Sequence, residues 1–203
     1  MTKFYFDKDA ANKAIGFIEQ FITHTKGELS GKKLKLEDWQ KKIVGDIFGW
    51  KNKETELRKY RTVFILLGRK NGKSTLCAAI GLYMLFADEE RGSEVYSAAG
   101  DRQQAGIVFE IAKGMILQSP ELSQRGKVFR NSIVNESKGN FYQAISSDSK
   151  TKHGFNANCI IFDELHTQPN RDLWDTLVTS TGSRRQPLTL SLIHISEPTR
   201  RRG

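Results

Sequence analysis

Cysteine is scarce: Cys77 and Cys159 are the only two in 203 residues, and neither stands at a paired or metal-ligand spacing. That excludes a disulfide framework, and both are expected to be buried free thiols of a reducing compartment. Long apolar runs are also missing. No stretch approaches the ~18 residues of a membrane span, and the N-terminus MTKFYFDKDAANKA has charges where a signal peptide carries its apolar segment. A soluble, cytosolic protein without a membrane partner is the expectation. Internal repeats, low-complexity tracts and coiled-coil heptads are absent. Negative charge is the scarcer sign, with 23 Asp and Glu against 32 Lys and Arg and a net charge of +9. This points to a polyanionic partner such as nucleic acid, although many basic proteins bind none.

What is present reads as alternating helices and strands. Ala11, Ala14, Ile15, Ile18, Phe21 and Ile22 recur at helical spacing and predict a helix over Asp7–His24. Trp39, Ile43, Val44, Ile47 and Phe48 predict a second over Glu37–Trp50, followed by a charged connector. Thr62–Leu67 is a nearly continuous apolar run, expected as a strand covered on both faces of a parallel sheet. After it come a helix in TLCAAIGLYMLFA, a strand in SEVYSAA and a helix in DRQQAGIVFEIAKGMILQ. KVFRNSIVNE and GNFYQAISSD suggest a hairpin or edge strands, and CIIF a further buried strand. Strands alternating with helices imply a three-layer α/β domain with a mostly parallel central sheet.

Two stretches carry chemistry. LLGRKNGKST (residues 66–75) resembles a phosphate-binding loop but has Leu67 where the pattern asks for glycine. In such a loop the backbone N–H groups of Gly68, Arg69, Lys70, Asn71 and Gly72 form an anion nest at a helix N-terminus. Lys73 reaches the β and γ phosphates, Ser74 ligates Mg²⁺, and Thr75 beside it belongs to the nucleotide-binding set. Leu67 is tolerable if its position needs no positive φ, with Gly68 beside it offering freedom. A Gly-Lys-Ser alone also fits an ordinary strand–helix turn. About 90 residues on, CIIFDELH ends an apolar strand in Asp163 and Glu164. There an aspartate organises Mg²⁺ and a glutamate takes the proton of an attacking water. An isolated Asp-Glu fits an acidic turn, but both motifs in order favour ATP hydrolysis. Arg69 and Lys70 read either as solvated charge or, for Arg69, as a cis arginine finger.

LEDWQKKIVGDIFGW, GRKNGKS, SAAGDRQQAGIVFEIAK and KHGFNANCIIFDELH, in this order, resemble the large terminase subunit of tailed bacteriophages, over about residues 4–190. The resemblance implies a P-loop NTPase fold of the RecA/ASCE kind and an ATP- and Mg²⁺-dependent motor that drives viral double-stranded DNA into the prohead. It implies a deviant loop with an arginine three residues before Gly72, so Leu67 ceases to be an objection and Arg69 joins Lys73 and Glu164 as catalytic. Gln40 resembles the glutamine that reads the adenine edge. Thr179, Ser180, Thr181 and Gly182 resemble the motif that couples hydrolysis to DNA movement, a polar loop after a helix being the other reading. Arg102, Arg184 and Arg185 stand open as trans-acting fingers, DNA contacts or solvated charge. His153 and His166 lack a second ligand at metal spacing and read as polar contacts near the nucleotide. The implied partners are DNA, the portal protein, the small terminase subunit and other copies in a ring, in the cytoplasm of the bacterial host.

By the same resemblance, residues 1–60 form a helical lead-in carrying the adenine-site motif and 61–190 the ATPase core. The family's nuclease domain is expected to be absent. SLIHISEPTRRRG resembles translated sequencing adapter, so 191–203 is expected to be a truncated or non-native tail. Two alternatives remain at this point: a DExH-type helicase, and a basic nucleic-acid-binding module with a vestigial P-loop.

Overall fold

A computed structural model describes residues 2–68, 71–147, 154–164 and 170–194, without the side chains of Arg102 and His194. The first helix, α1 (Lys8–Phe21), starts where the Asp7 carboxylate accepts the Ala10 N–H at 2.9 Å. Capping of this kind satisfies a donor that the first turn cannot pair. The second, α2 (Asp38–Gly49), is preceded by Glu37, whose N–H is accepted by Gln40 Oε1 at 2.9 Å. Both helices are shorter than their apolar spacing suggests, because the flanking chain turns into extended pairing. Trp50 belongs to β2 (Trp50–Asn52), which pairs antiparallel with β1 (Phe4–Phe6). Three-residue strands amid charges carry too little periodicity to be read beforehand.

A seven-stranded sheet holds the rest together. It comprises β3 (Thr62–Leu67), β4 (Glu94–Ala99), β5 (Lys127–Val128), β6 (Ser132–Asn135), β7 (Asn140–Ser146), β8 (Ala157–Asp163) and β9 (Leu188–His194). Their spatial order is β3-β9-β8-β4-β7-β6-β5. The pairs from β3 through β7 are parallel, while β6 and β5 are antiparallel additions. So the expected hairpin exists as β6–β7, with β5 added beyond β6, and β7 also pairs with β4 and so lies inside the sheet. The position expected to begin a non-native tail falls inside β9, where Ser191 pairs with Phe64 and with Phe162.

One face of the sheet is covered by α3 (Lys73–Phe86) and α4 (Arg102–Leu117), with a single turn, α5 (Pro120–Ser123), beyond. α3 is apolar on all sides and almost wholly buried, as a helix between a sheet and an outer layer must be. The outer layer is α1 and α2: Ile18, Ile47 and Phe48 join the cluster that contains Leu76, Ile80 and Met84. On the other face, α6 (Asp172–Ser180) packs Leu173 and Leu177 over Ile160 and Phe162.

The expectation that β3 is covered on both faces does not hold among the described residues. Ile65 is 3% exposed, but Phe64 and Leu66 are 52% and 51% exposed. β3 is the edge strand, and α6 lies over β8 rather than over it. Alternation therefore buries one side of β3 and leaves the other open.

Candidate nucleotide site

The carboxyl ends of β3, β9 and β8 lie side by side, since the three strands are adjacent and parallel. Leu67 is the last residue of β3, and its backbone is not in the left-handed region. Extended geometry suits leucine, which is why the glycine that the general pattern wants is dispensable here. Gly72 is the residue that needs to be glycine: it precedes α3 at φ +69°. Gly68 does not use the freedom expected of it, for its φ is not positive. Its carbonyl instead accepts the Asn71 side-chain amide at 3.2 Å.

Lys73 opens α3 and is 3% exposed. Its Nζ donates to the carbonyls of Leu67 and, at 3.4 Å, Ile193. The ammonium thus lies across the ends of β3 and β9. Ser74 and Thr75, half-buried, complete the first turn. Gln40 reaches this loop from α2: a Cβ added at Gly72 would stand 3.8 Å from Gln40 Nε2. Gln40, 33 residues before the lysine along the chain, is hence within reach of the same ligand. Arg69 and Lys70 lie outside the described residues.

Asp163 ends β8, paired in register with Leu192 of β9. It is 6% exposed, and burial holds its carboxyl above the usual range, with the Lys73 charge opposing. A carboxylate stripped of water in this way favours a nearby cation. Glu164 follows at φ +52°, one of two non-glycine residues with positive φ among those described. The other, Glu56, lies in the turn after β2. Left-handed backbone is costly for a glutamate and persists where surrounding structure imposes it, often at functional sites. Nothing in the sequence signalled it.

The segment from Thr179 to Gly182 is not brought to this site. α6 runs back along β8, so the N–H of Ala157, the first residue of β8, meets Ser180 Oγ at 3.4 Å. β8 spans roughly 20 Å from there to Asp163. Its hydroxyls serve the helix end: Thr179 donates to the Asp175 carbonyl at 2.6 Å and Thr181 to that of Val178 at 2.7 Å. Arg184 is equally occupied, donating to the carbonyls of Gly92 and, at 2.9 Å, Asn156. It clasps the far ends of β4 and β8 together. Arg185 is exposed. Arg102 starts α4, but its side chain is outside the description, as are His153 and His166. Cys77 and Cys159 are free and fully buried, as expected, and burial pushes the Cys159 thiol up to about 12.

A glycine-capped helix start after one strand, and a carboxylate pair at the end of another with a single strand between them, define a P-loop NTPase fold of the ASCE type. The comparisons with known proteins narrow this. The family described as "Terminase large subunit, ATPase domain" matches residues 38–201, and the chain belongs to that family. It is 29% identical to the large terminase subunit of Enterobacteria phage HK97, across 88% of this chain and 35% of that protein. Against the large subunit of Lactococcus phage SK1 it is 25% identical, across 95% and 39%. The chain thus spans little more than a third of the length of these relatives. Its fold resembles the crystal structure of the HK97 large terminase at a TM-score of 0.76, with 26% identity over 90% of this chain and 37% of that one. A Thermus phage large terminase ATPase domain shares the fold at 0.60, with 17% identity over 93% and 70%.

Among the described residues, no helix is long and apolar enough to cross a membrane.

Proposed function

We propose that this chain binds ATP with Mg²⁺ and hydrolyses the γ phosphate as the motor domain of a large terminase moving viral double-stranded DNA into the prohead. The observation that carries the reading is the meeting of Lys73 and the Asp163-Glu164 pair at one end of a parallel sheet, with Glu164 held in left-handed backbone. Within it, the loop N–H groups at the start of α3 and the Lys73 ammonium bind the phosphates. Gln40 bonds the adenine edge. Ser74 and Asp163 would hold Mg²⁺: a hydroxyl and a desolvated carboxylate are the hard oxygen donors this ion takes. Bound there, the ion neutralises phosphate charge. Glu164 accepts a proton from the attacking water as the water oxygen bonds to γ phosphorus and the β–γ bridging bond breaks. Arg69 adds positive charge where the transition state gains negative charge, flanked by Lys70.

Family membership favours this reading over a helicase or a vestigial loop. The portal protein, a small terminase subunit, a homo-oligomeric ring and the bacterial cytoplasm belong to the proposal by kinship with full-length terminases. The coupling role is not carried over to Thr179–Gly182, which lies at the opposite end of β8.

Phosphate release and nucleotide binding test the reading together. Glu164→Gln should bind ATP as the parent does while turnover drops by about 10²-fold or more. Lys73→Ala should lose binding. Unchanged turnover in Glu164→Gln sinks the assignment of the base, and ATP affinity unchanged in Lys73→Ala sinks that of the loop.

A further inference from the structure

A second recess lies far from the nucleotide loop. Between α1, the last turn of α3 and α5 is a cavity of about 560 Å³, floored by Gly16, Phe17 and Phe86 and rimmed by Lys13, Arg125 and Lys138. α3 separates it from Lys73 by about 20 Å, so the nucleotide reading does not account for it. Its size and apolar floor suit one or two bulky side chains.

Gly16 is the second observation. Glycine inside a helix is unfavourable relative to alanine, and a packing neighbour commonly explains it. Here a Cβ at position 16 would meet nothing within 4 Å. The missing side chain leaves open space at the cavity floor, room that a larger side chain at this position would take from a ligand. The rim adds charge: three cations against one lining carboxylate, Glu121, which already faces Lys33 at 3.9 Å. Lys13 meets Glu89 at 3.3 Å in an exposed pair that offsets part of its charge, while Lys138 donates to the Asp88 carbonyl at 2.9 Å, and Arg125 has no ion pair among the described residues.

We infer that this cleft docks a segment of another protein that inserts a large apolar side chain over Gly16 and sets carboxylates against Lys13, Arg125 and Lys138. The surface is an acidic-peptide site on the side of the ATPase away from its nucleotide.

The test uses the full chain and two labelled peptides, one with a leucine–phenylalanine pair flanked by glutamates and a twin flanked by lysines, followed by fluorescence anisotropy. The glutamate peptide should bind saturably, and about tenfold more weakly to Gly16→Leu, which fills the floor, and to Arg125→Glu. Gly16→Ala should keep binding and melt no lower than the parent, showing that position 16 tolerates a side chain. No saturable binding, equal binding of the twin, or undiminished affinity in Gly16→Leu each overturns the inference. A concentration-dependent dimer in sedimentation that Gly16→Leu abolishes would assign the cleft to a second copy and overturn it as well.

Discussion

At the scale of single residues, the site is built from groups that cost stability. Glu164 sits at φ +52°, where glycine would be relaxed. Glu164→Gly should therefore raise stability by about 1 kcal/mol while removing turnover, read by thermal melts beside phosphate release. A variant no more stable than the parent would mean the backbone is not strained there. Asp163 is a second such group. Its carboxyl is raised above 3.8 by burial, so the folded state holds its proton more tightly than the unfolded state does. The sign follows: this group's contribution is favourable below pH 3.8 and is lost as pH rises through the raised value. Melted across that range, the parent should fall behind Asp163→Asn as pH increases, and saturating Mg²⁺ with nucleotide should narrow the gap. Equal pH profiles would remove the desolvation argument.

Secondary-structure elements decide which residues of the loop matter. Leu67 belongs to β3 and Gly72 to the start of α3, though both are glycines in the general pattern. Leu67→Gly should not improve ATP affinity and should destabilise by roughly 1–3 kcal/mol, from lost strand packing and added backbone freedom. Gly72→Ala puts a Cβ into left-handed backbone at about 1–2 kcal/mol and should weaken ATP binding. Urea unfolding and nucleotide titration of the two variants would invert this order if the pattern, not the backbone, ruled. Strand, loop and helix were legible because 62–86 signals itself locally, through a continuous apolar run, glycine and a long alanine- and leucine-rich stretch. The Asp163-Glu164 pair was legible for the same reason. The insertion of β9 between β3 and β8 was not, since strand order rests on pairings far apart in sequence. Nor was the place of Thr179–Gly182: the residues were visible, but α6 returning along β8 carries them away from Lys73 and Asp163.

Over the whole molecule, the helical lead-in and the sheet are joined by shared packing and a buried charge pair. Phe48 meets Tyr83 edge-on at 4.6 Å, and Arg58 Nη1 meets Asp88 Oδ1 at 2.8 Å with both side chains nearly out of solvent. Asp88 is also bonded by Asn158, at 3.4 Å from the base of β8. Arg58→Ala leaves Asp88 buried without its cation and should cost about 3–5 kcal/mol in denaturant unfolding. Because the lead-in carries Gln40, ATP affinity should fall too, although the pair stands at the other end of the sheet. A loss below about 1 kcal/mol would place the pair among solvent-screened contacts.

β9 has a mechanical meaning as well. It is hydrogen-bonded along both edges, to β3 on one side and β8 on the other, all three running the same way. Tension applied along its axis at the nucleotide end loads those two ladders in shear, where many bonds resist together, instead of peeling them one at a time. The end of the strand pairs with Leu67 on one side and with Asp163 on the other, so such a load would bear on the strands that carry the lysine loop and the acidic pair together.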